Sequence, residues 1–190
     1  MTVADGKAIM FSWWSRRKSA EILEEVRRLS GGDLLALRPD VLSATLQRHG
    51  LGNRKPIRRH LFAAAIECDV RRMLTAFDAG SCATMPPARL AADWASSIGL
   101  DAATIASVAA TASAPVELAR AYLRRGPIDI RELAELEDVA VCYGAPRSCA
   151  LRWIEAAVNA EIDHQAARMG PSDTCRLRFP RLFSRFPTAT

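Results

Sequence analysis

Apolar residues recur every three to four positions along most of this 190-residue chain, and nearly every glycine and proline falls between the periodic segments. That spacing is typical of amphipathic α-helices. The segments that carry it are 18–30, 40–49, 57–79, 88–98, 101–113, 115–125, 130–143 and 146–169. No run alternates apolar and polar residues as a strand would. We therefore expect an all-α protein with about eight helices in a single compact, bundle-like domain.

Local signals indicate where several of these helices begin. Asp101 is a natural N-cap for the alanine-rich segment 101–113, in which Ile105 and Val108 are the larger apolar residues. Asp129 and Glu132 have the spacing of a capping box at the start of 130–143. In the longest segment, the inward positions are predicted to include Ile57, Leu61, Ala64 and Cys68.

The two ends of the chain differ in composition from the helical part. Residues 1–17 form an aromatic and basic N-terminal segment, 18–170 the helical domain, and 171–190 a basic tail. The tail contains Arg-Phe-Pro twice, at 178–180 and 185–187. Because proline does not continue a helix, the tail is predicted to be extended.

Charge is distributed unevenly along the chain. The composition, 49% apolar and 25% charged, is that of a globular protein, and the formal net charge is +5. Residues 1–80 have a net charge of +5, residues 81–143 of −3, and residues 144–190 of +3. Basic ends around an acidic middle favour an anionic partner, whether nucleic acid, a membrane surface or an acidic protein.

Cysteine usage and hydropathy bear on the compartment. Five widely spaced cysteines without a C-x-x-C pair favour a reducing environment. No apolar run reaches the roughly 18–20 residues that span a bilayer. In the apolar stretch 8–14 the basic residues follow the apolar ones, which is the reverse of a secretory signal. We expect a cytoplasmic protein without a transmembrane segment, in peripheral contact with a membrane at most.

Two basic regions are candidates for binding an acidic partner. The first surrounds the start of the 57–79 helix, where free backbone N–H groups and the helix dipole favour anions. The second is the tail, whose arginines alternate with aromatic residues. The candidate partner-binding residues are Arg54, Lys55, Arg58, Arg59, Arg178, Phe179 and Arg181. A solvated charged face explains the first region equally well.

Residues 136–155 match a helix-turn-helix pattern, with Arg147, Ser148 and Arg152 offered to DNA. The acidic residues of the preceding helix would repel the phosphate backbone. A second match, at 95–108, exposes no cation at all. We favour tightly packed helix pairs as the explanation, with a DNA-binding transcriptional regulator as the alternative.

Candidate catalytic and metal-binding sets are sparse. Glu161 and His164 have the Glu-x-x-His spacing of di-iron helical bundles, but no second copy occurs. His49 and His60 stand apart from any nucleophile or metal-ligand motif. We therefore expect no catalytic residues, no metal and no cofactor, and a protein that is not an enzyme.

Several phrases together resemble a known family. They are Leu46-Gln-Arg-His-Gly-Leu51, then Pro56-Ile-Arg-Arg59 with Ala63, and later Trp153 and Arg176-Leu-Arg-Phe-Pro180. Covering about a quarter of the chain, they are similar to the helical K-type accessory subunit of the type III secretion sorting platform. The resemblance implies a noncatalytic adaptor in the bacterial cytoplasm that serves protein transport. It would link the inner-membrane ring to the cytoplasmic export components through protein–protein contacts made by residues 54–60 and the tail.

Overall fold

The computed structural model describes residues 21–22, 24–26, 28–31, 34–50, 55–79 and 84–168, with side chains as far as His164. The predicted segments 1–17 and 171–190 lie outside these residues. The elements are a 3-10 helix at Leu34–Ala36, then α1 Pro39–Arg48, α2 Lys55–Asp78, α3 Ala92–Ser97, α4 Ala102–Thr111, α5 Ala114–Arg125, α6 Ile130–Cys142 and α7 Cys149–Arg168. The described residues before position 30 are helical too, and no strand occurs in the described part of the chain. The all-α prediction is confirmed.

Helix α2 is the centre of the packing. It contacts the 3-10 helix, α4 and α5, while α7 packs against α5 and α6. One cluster of buried apolar residues runs through these elements. Ile57, Leu61 and Ala64 are buried as predicted, and Cys68 is partly buried against the same cluster.

The predicted helix starts at 101 and 130 are confirmed. Asp101 accepts a hydrogen bond from the backbone N–H of Thr104 at 2.8 Å. Asp129 accepts from the N–H of Glu132 at 2.8 Å, and the Glu132 carboxylate accepts from the N–H of Asp129 at 2.9 Å. These bonds satisfy amides that have no partner within the helix.

The largest difference from the prediction is the segment before α3. A helix was expected over 88–98, but α3 begins only at Ala92, and residues 84–91 are irregular. Proline disfavours a helical conformation in the residue before it, which applies to Met85 and Pro86. The amides of Arg89 and Leu90 bond to a buried carboxylate instead of to helical carbonyls. In the predicted helix 18–30, helical spacing places Ile22, Val26 and Leu29 on one face. Ile22 and Val26 are buried, but Leu29 is 45% exposed.

The turn between α6 and α7 approaches α3 and α4 closely. Gly144 has φ +79°, a conformation that side chains other than glycine rarely adopt. A Cβ at this position would lie 2.8 Å from Ile105 Cγ2 and 3.1 Å from Ala92 Cβ. Glycine is therefore required here both by the backbone conformation and by the available space.

Among the described residues, no single helix combines the length and apolar character needed to cross a bilayer. The consecutive helices α4 and α5 have the required length and apolar character only as a pair, and the pair is bent by 43° at the break between them.

Candidate docking surfaces

The basic cluster at the start of α2 consists of Arg54, Lys55, Arg58, Arg59 and His60. Of its four described members, two are bonded to another part of the chain and two are not. Lys55 Nζ lies 3.0 Å from Asp101 Oδ2, and Arg58 Nη1 donates to the Gly99 carbonyl at 3.3 Å. Gly99 has φ +79°, and a Cβ there would overlap the Arg58 guanidinium. These two cations therefore attach the start of α2 to the turn between α3 and α4.

The other two members of the cluster are exposed. Arg59 and His60 make no hydrogen bond or ion pair within the described part of the chain. Arg54 precedes α2 and lies outside the described residues. Arg59 therefore carries an exposed positive charge without a partner in the described part of the chain, whereas the exposed Lys55 ammonium is paired with Asp101.

The lysine contact also affects the acid behaviour of its partner. The Thr104 amide and hydroxyl, followed by the Lys55 ammonium, hold the pKa of Asp101 well below its usual value. Asp101 is therefore charged near neutral pH and serves both as the cap of α4 and as the anchor of Lys55.

The residues of the predicted DNA-reading segment are engaged with their own chain. Arg147 Nη1 lies 3.3 Å from Glu137 Oε2 and 3.5 Å from Asp138 Oδ1. Arg152 donates to the Cys149 sulfur, and Ser148 is exposed. A guanidinium between two carboxylates presents little net charge to a phosphate. The six residues between α6 and α7 also exceed the three- or four-residue turn of helix-turn-helix proteins.

Both helix-turn-helix matches have the same structural origin. Each centres on a glycine in the left-handed conformation, whose N–H and the following N–H bond back to the end of a helix. At the first match the N–H groups of Gly99 and Leu100 donate to the carbonyls of Ser96 and Ala95. At the second the N–H groups of Gly144 and Ala145 donate to the carbonyls of Val141 and Ala140. The helix-turn-helix pattern in the sequence therefore arises from this type of helix end and from the packing of the residues that follow it.

A buried carboxylate on α2 positions the segment that precedes α3. Asp69 is fully buried. Its Oδ2 accepts from the amides of Arg89 at 2.9 Å and Leu90 at 3.0 Å, and from the Tyr143 hydroxyl at 3.2 Å. Its Oδ1 accepts from Arg72 Nε at 2.9 Å. Four donors compensate the cost of burying the charge.

Further bonds fix the irregular segment 84–91, which carries those two amides. Arg72 donates to the Pro87 carbonyl at 2.6 Å, and the Cys142 thiol donates to the Leu90 carbonyl at 3.2 Å. Glu135 accepts from the Met85 amide at 3.3 Å. Segment 84–91 is thus held through its backbone by side chains of α2 and α6.

Burial keeps the other acids of this network protonated. It raises the pKa of the Cys142 thiol and of the Tyr143 hydroxyl, and the charge of Asp69 raises both further. The pKa of Tyr122, which donates a hydrogen bond to Glu135, is raised by burial and then by that carboxylate. These groups are therefore protonated hydrogen-bond donors at neutral pH.

Segment 84–91 and α6 enclose a groove of about 320 Å³, which we call the acidic groove. It is lined by Met85, Pro86, Pro87, Ala88, Glu135, Asp138, Val139 and Cys142. Most of the lining is apolar, with the carboxylates of Glu135 and Asp138 as the charged groups. Neither this groove nor the role of Asp69 was predicted from the sequence.

The remaining candidate ligands do not come together. No group of three or more His, Cys, Asp or Glu side chains in the described part of the chain could hold a metal ion. His49 pairs with Glu25, and this hydrogen bond lowers the pKa of Glu25. His164 is exposed on α7, one turn beyond Glu161.

Comparison with protein-family models, with curated proteins and with solved structures finds no match to this chain.

Proposed function

We propose that this chain is a noncatalytic adaptor that binds other protein subunits of a larger assembly through the exposed Arg59 and its neighbours at the start of α2. The observation that carries the proposal is the division of the basic cluster. Lys55 and Arg58 attach the helix start to the turn between α3 and α4, while Arg59 and His60 remain exposed on the same turn of helix.

This arrangement suits recognition of an acidic protein surface. A charge on a fixed helix end loses less conformational freedom on binding than one on a mobile segment. The unpaired amides and the dipole at a helix start add to the attraction for carboxylates. Electrostatic complementarity of this kind mainly raises the association rate and the specificity.

We further propose that the assembly is a bacterial type III protein secretion apparatus. The support is the resemblance of residues 46–51 and 56–59, which span the end of α1 and the start of α2. The partners would be the inner-membrane ring and the cytoplasmic export components, met in the cytoplasm next to the inner membrane. Arg178, Phe179 and Arg181 of the tail, outside the described residues, would form a second contact.

Co-purification from the native host tests the proposal. Arg58 has an internal contact, so the informative variant is Arg59→Glu alone. Arg71→Glu is a matched control, because Arg71 is exposed on the same helix and has no ion pair in the described part of the chain. We expect Arg59→Glu to fold normally and to lose most of its co-purified subunits, while Arg71→Glu retains them.

Two outcomes would contradict the proposal. Full recovery of the partners with Arg59→Glu would exclude the helix start as the docking surface. Binding of duplex DNA that weakens with salt and with Arg147→Ala would support the DNA-binding alternative instead.

A further inference from the structure

We propose that the acidic groove binds the chain's own basic and aromatic segment 176–187 within the same molecule. This proposal does not depend on the type III assignment or on the partner of the α2 cations. It competes with the second contact of the proposed function, because the same tail residues cannot occupy the groove and a partner at once. It combines the geometry of the groove with the sequence and length of the residues that follow α7.

The groove is formed before anything binds to it. Its wall of residues 85–88 is fixed because Arg72 donates to the Pro87 carbonyl and Glu135 accepts from the Met85 amide, while Asp69 accepts from the amide of the adjoining Arg89. Its volume of about 320 Å³ is near the lower end of small-ligand pockets, roughly 300–1,000 Å³. That size suits one or two side chains of a peptide. Pre-formed walls reduce the ordering cost of binding.

The two carboxylates of the groove differ in how firmly they are held. Glu135 is 26% exposed and accepts hydrogen bonds from the Met85 amide and the Tyr122 hydroxyl, in addition to its ion pair with Arg131. Asp138 is 73% exposed, and its partner in the described part of the chain is Arg147, whose Nη1 lies 3.5 Å from Asp138 Oδ1. An exposed ion pair of this length contributes little, so another guanidinium can replace Arg147 at Asp138.

The tail has the composition that such a groove selects. Between 174 and 190 it contains four arginines and no acidic residue, and each Arg-Phe-Pro phrase places a cation beside an aromatic ring and a proline. The arginine can pair with the exposed Asp138, and a bidentate guanidinium–carboxylate contact is the strongest form of that pair. The phenylalanine can cover the apolar lining that Met85 and Pro86 provide.

The length of the chain after α7 permits this contact. The groove includes Cys142, which the turn 143–148 joins to the start of α7, so the tail must return along a helix of 20 residues. That helix is about 30 Å long. Ten residues separate Arg168 from Arg178 and can span about 33 Å when extended. The second phrase, starting at Arg185, has more chain available.

Photo-crosslinking in the full-length protein tests the proposal. A photoreactive phenylalanine analogue replaces Phe179, and mass spectrometry locates the crosslink. A mixture of isotopically light and heavy protein separates crosslinks within one molecule from those between two. We expect light–light and heavy–heavy crosslinks to residues 85–88 or 135–142.

Charge reversal at the groove provides the second measurement. In Asp138→Lys the crosslink yield should fall about three- to tenfold, because an attractive contact becomes a repulsive one. Glu155→Lys is the matched control, since it makes the same charge change at an exposed position on α7 and should leave the yield unchanged. Circular dichroism verifies that both variants fold.

Three results would overturn the proposal. One is crosslinking of residue 179, and of residue 186 in a matched variant that carries the analogue there, only to sites outside the groove. Another is mixed light–heavy products, which would assign the groove to the tail of a second copy. The third is an equal loss of yield in Asp138→Lys and Glu155→Lys, which would show a response to overall charge only.

Discussion

Replacing Asp69 by alanine is the sharpest test of how this structure is held together. The substitution removes the acceptor of four hydrogen bonds from a fully buried position. The Arg72 side chain is 25% exposed and can turn toward solvent. The amide of Leu90 and the hydroxyl of Tyr143 are buried and cannot turn toward solvent. The hydroxyl keeps only the weak acceptor Met73 Sδ, at 3.8 Å.

The size of the effect follows from those two stranded donors. A buried donor without a partner costs about 1–3 kcal/mol. Two of them give roughly 2–6 kcal/mol. The Arg72 charge adds little, because its side chain can reach solvent. We therefore expect Asp69→Ala to lower the free energy of unfolding by about 2–5 kcal/mol, a large share of the roughly 5–15 kcal/mol of a typical domain.

Denaturant unfolding followed by circular dichroism measures this loss, and Asp40→Ala is its control. Asp40 also pairs with an arginine, Arg38, at 2.8 Å, but the two side chains are 62% and 79% exposed. An exposed pair contributes at most about 1 kcal/mol. Amide hydrogen exchange gives a local measurement, because Arg89 and Leu90 should lose protection in Asp69→Ala.

One result would refute this reasoning. If Asp69→Ala and Asp40→Ala lowered the free energy of unfolding equally, the buried carboxylate would not be the group that holds segment 84–91. Retained protection of the Leu90 amide in Asp69→Ala would lead to the same conclusion.

Three further predictions concern glycine, acid and aromatic positions. Gly144→Ala should lower the free energy of unfolding by about 2–4 kcal/mol, because the strain of a left-handed backbone adds to overpacking against Ile105. Gly50→Ala is the control, since Gly50 has φ +67° and open space around it, and should lower the same quantity by only about 1–2 kcal/mol. The pKa of Asp101 is lowered in the folded protein, so the charged carboxylate stabilises the fold above about pH 4 and this stabilisation is lost as the pH falls. The difference in free energy of unfolding between wild type and Asp101→Asn should therefore shrink in acid. A difference that does not change with pH would contradict this. Phe77→Leu should lower the melting temperature, because it removes the ring that packs edge-on to Tyr122 at 5.2 Å and lies 3.3 Å below the Arg125 guanidinium, and an unchanged melting temperature would show that these ring contacts do not stabilise the fold.

The helices were predictable because the signals that set them are local. The Asp101 cap and the Asp129–Glu132 capping box depend on residues three positions apart, and the inward face of α2 depends on spacing alone. The tail and the N-terminal segment lie outside the described residues, so those predictions remain untested.

The irregular segment could not be predicted by the same reasoning, because its contacts come from distant parts of the chain. Asp69 accepts hydrogen bonds from the amides of Arg89 and Leu90, which are 20 and 21 residues away in the sequence, and from the hydroxyl of Tyr143, which is 74 residues away. A signal was nevertheless present: Asp69 lies four residues after Ala65 and four before Met73, on the buried face of α2. A carboxylate on such a face indicates a buried polar contact.

The division of the basic cluster was equally hidden. The sequence does not distinguish Lys55, Arg58 and Arg59, which are basic residues at neighbouring positions. Lys55 and Arg58 are bonded because Asp101 and Gly99, more than 40 residues later in the chain, lie next to them in the fold, whereas Arg59 stays exposed. Composition identifies a basic region, but the tertiary contacts decide which of its charges are available.

The fixing of segment 84–91 through its main chain has a consequence for its tolerance of change. The Asp69 carboxylate contacts the N–H groups at 89 and 90 and no side chain of either residue. Arg89 can therefore vary widely among genetic variants without loss of order. Proline is the exception at both positions, since it would remove a donor on which the loop depends.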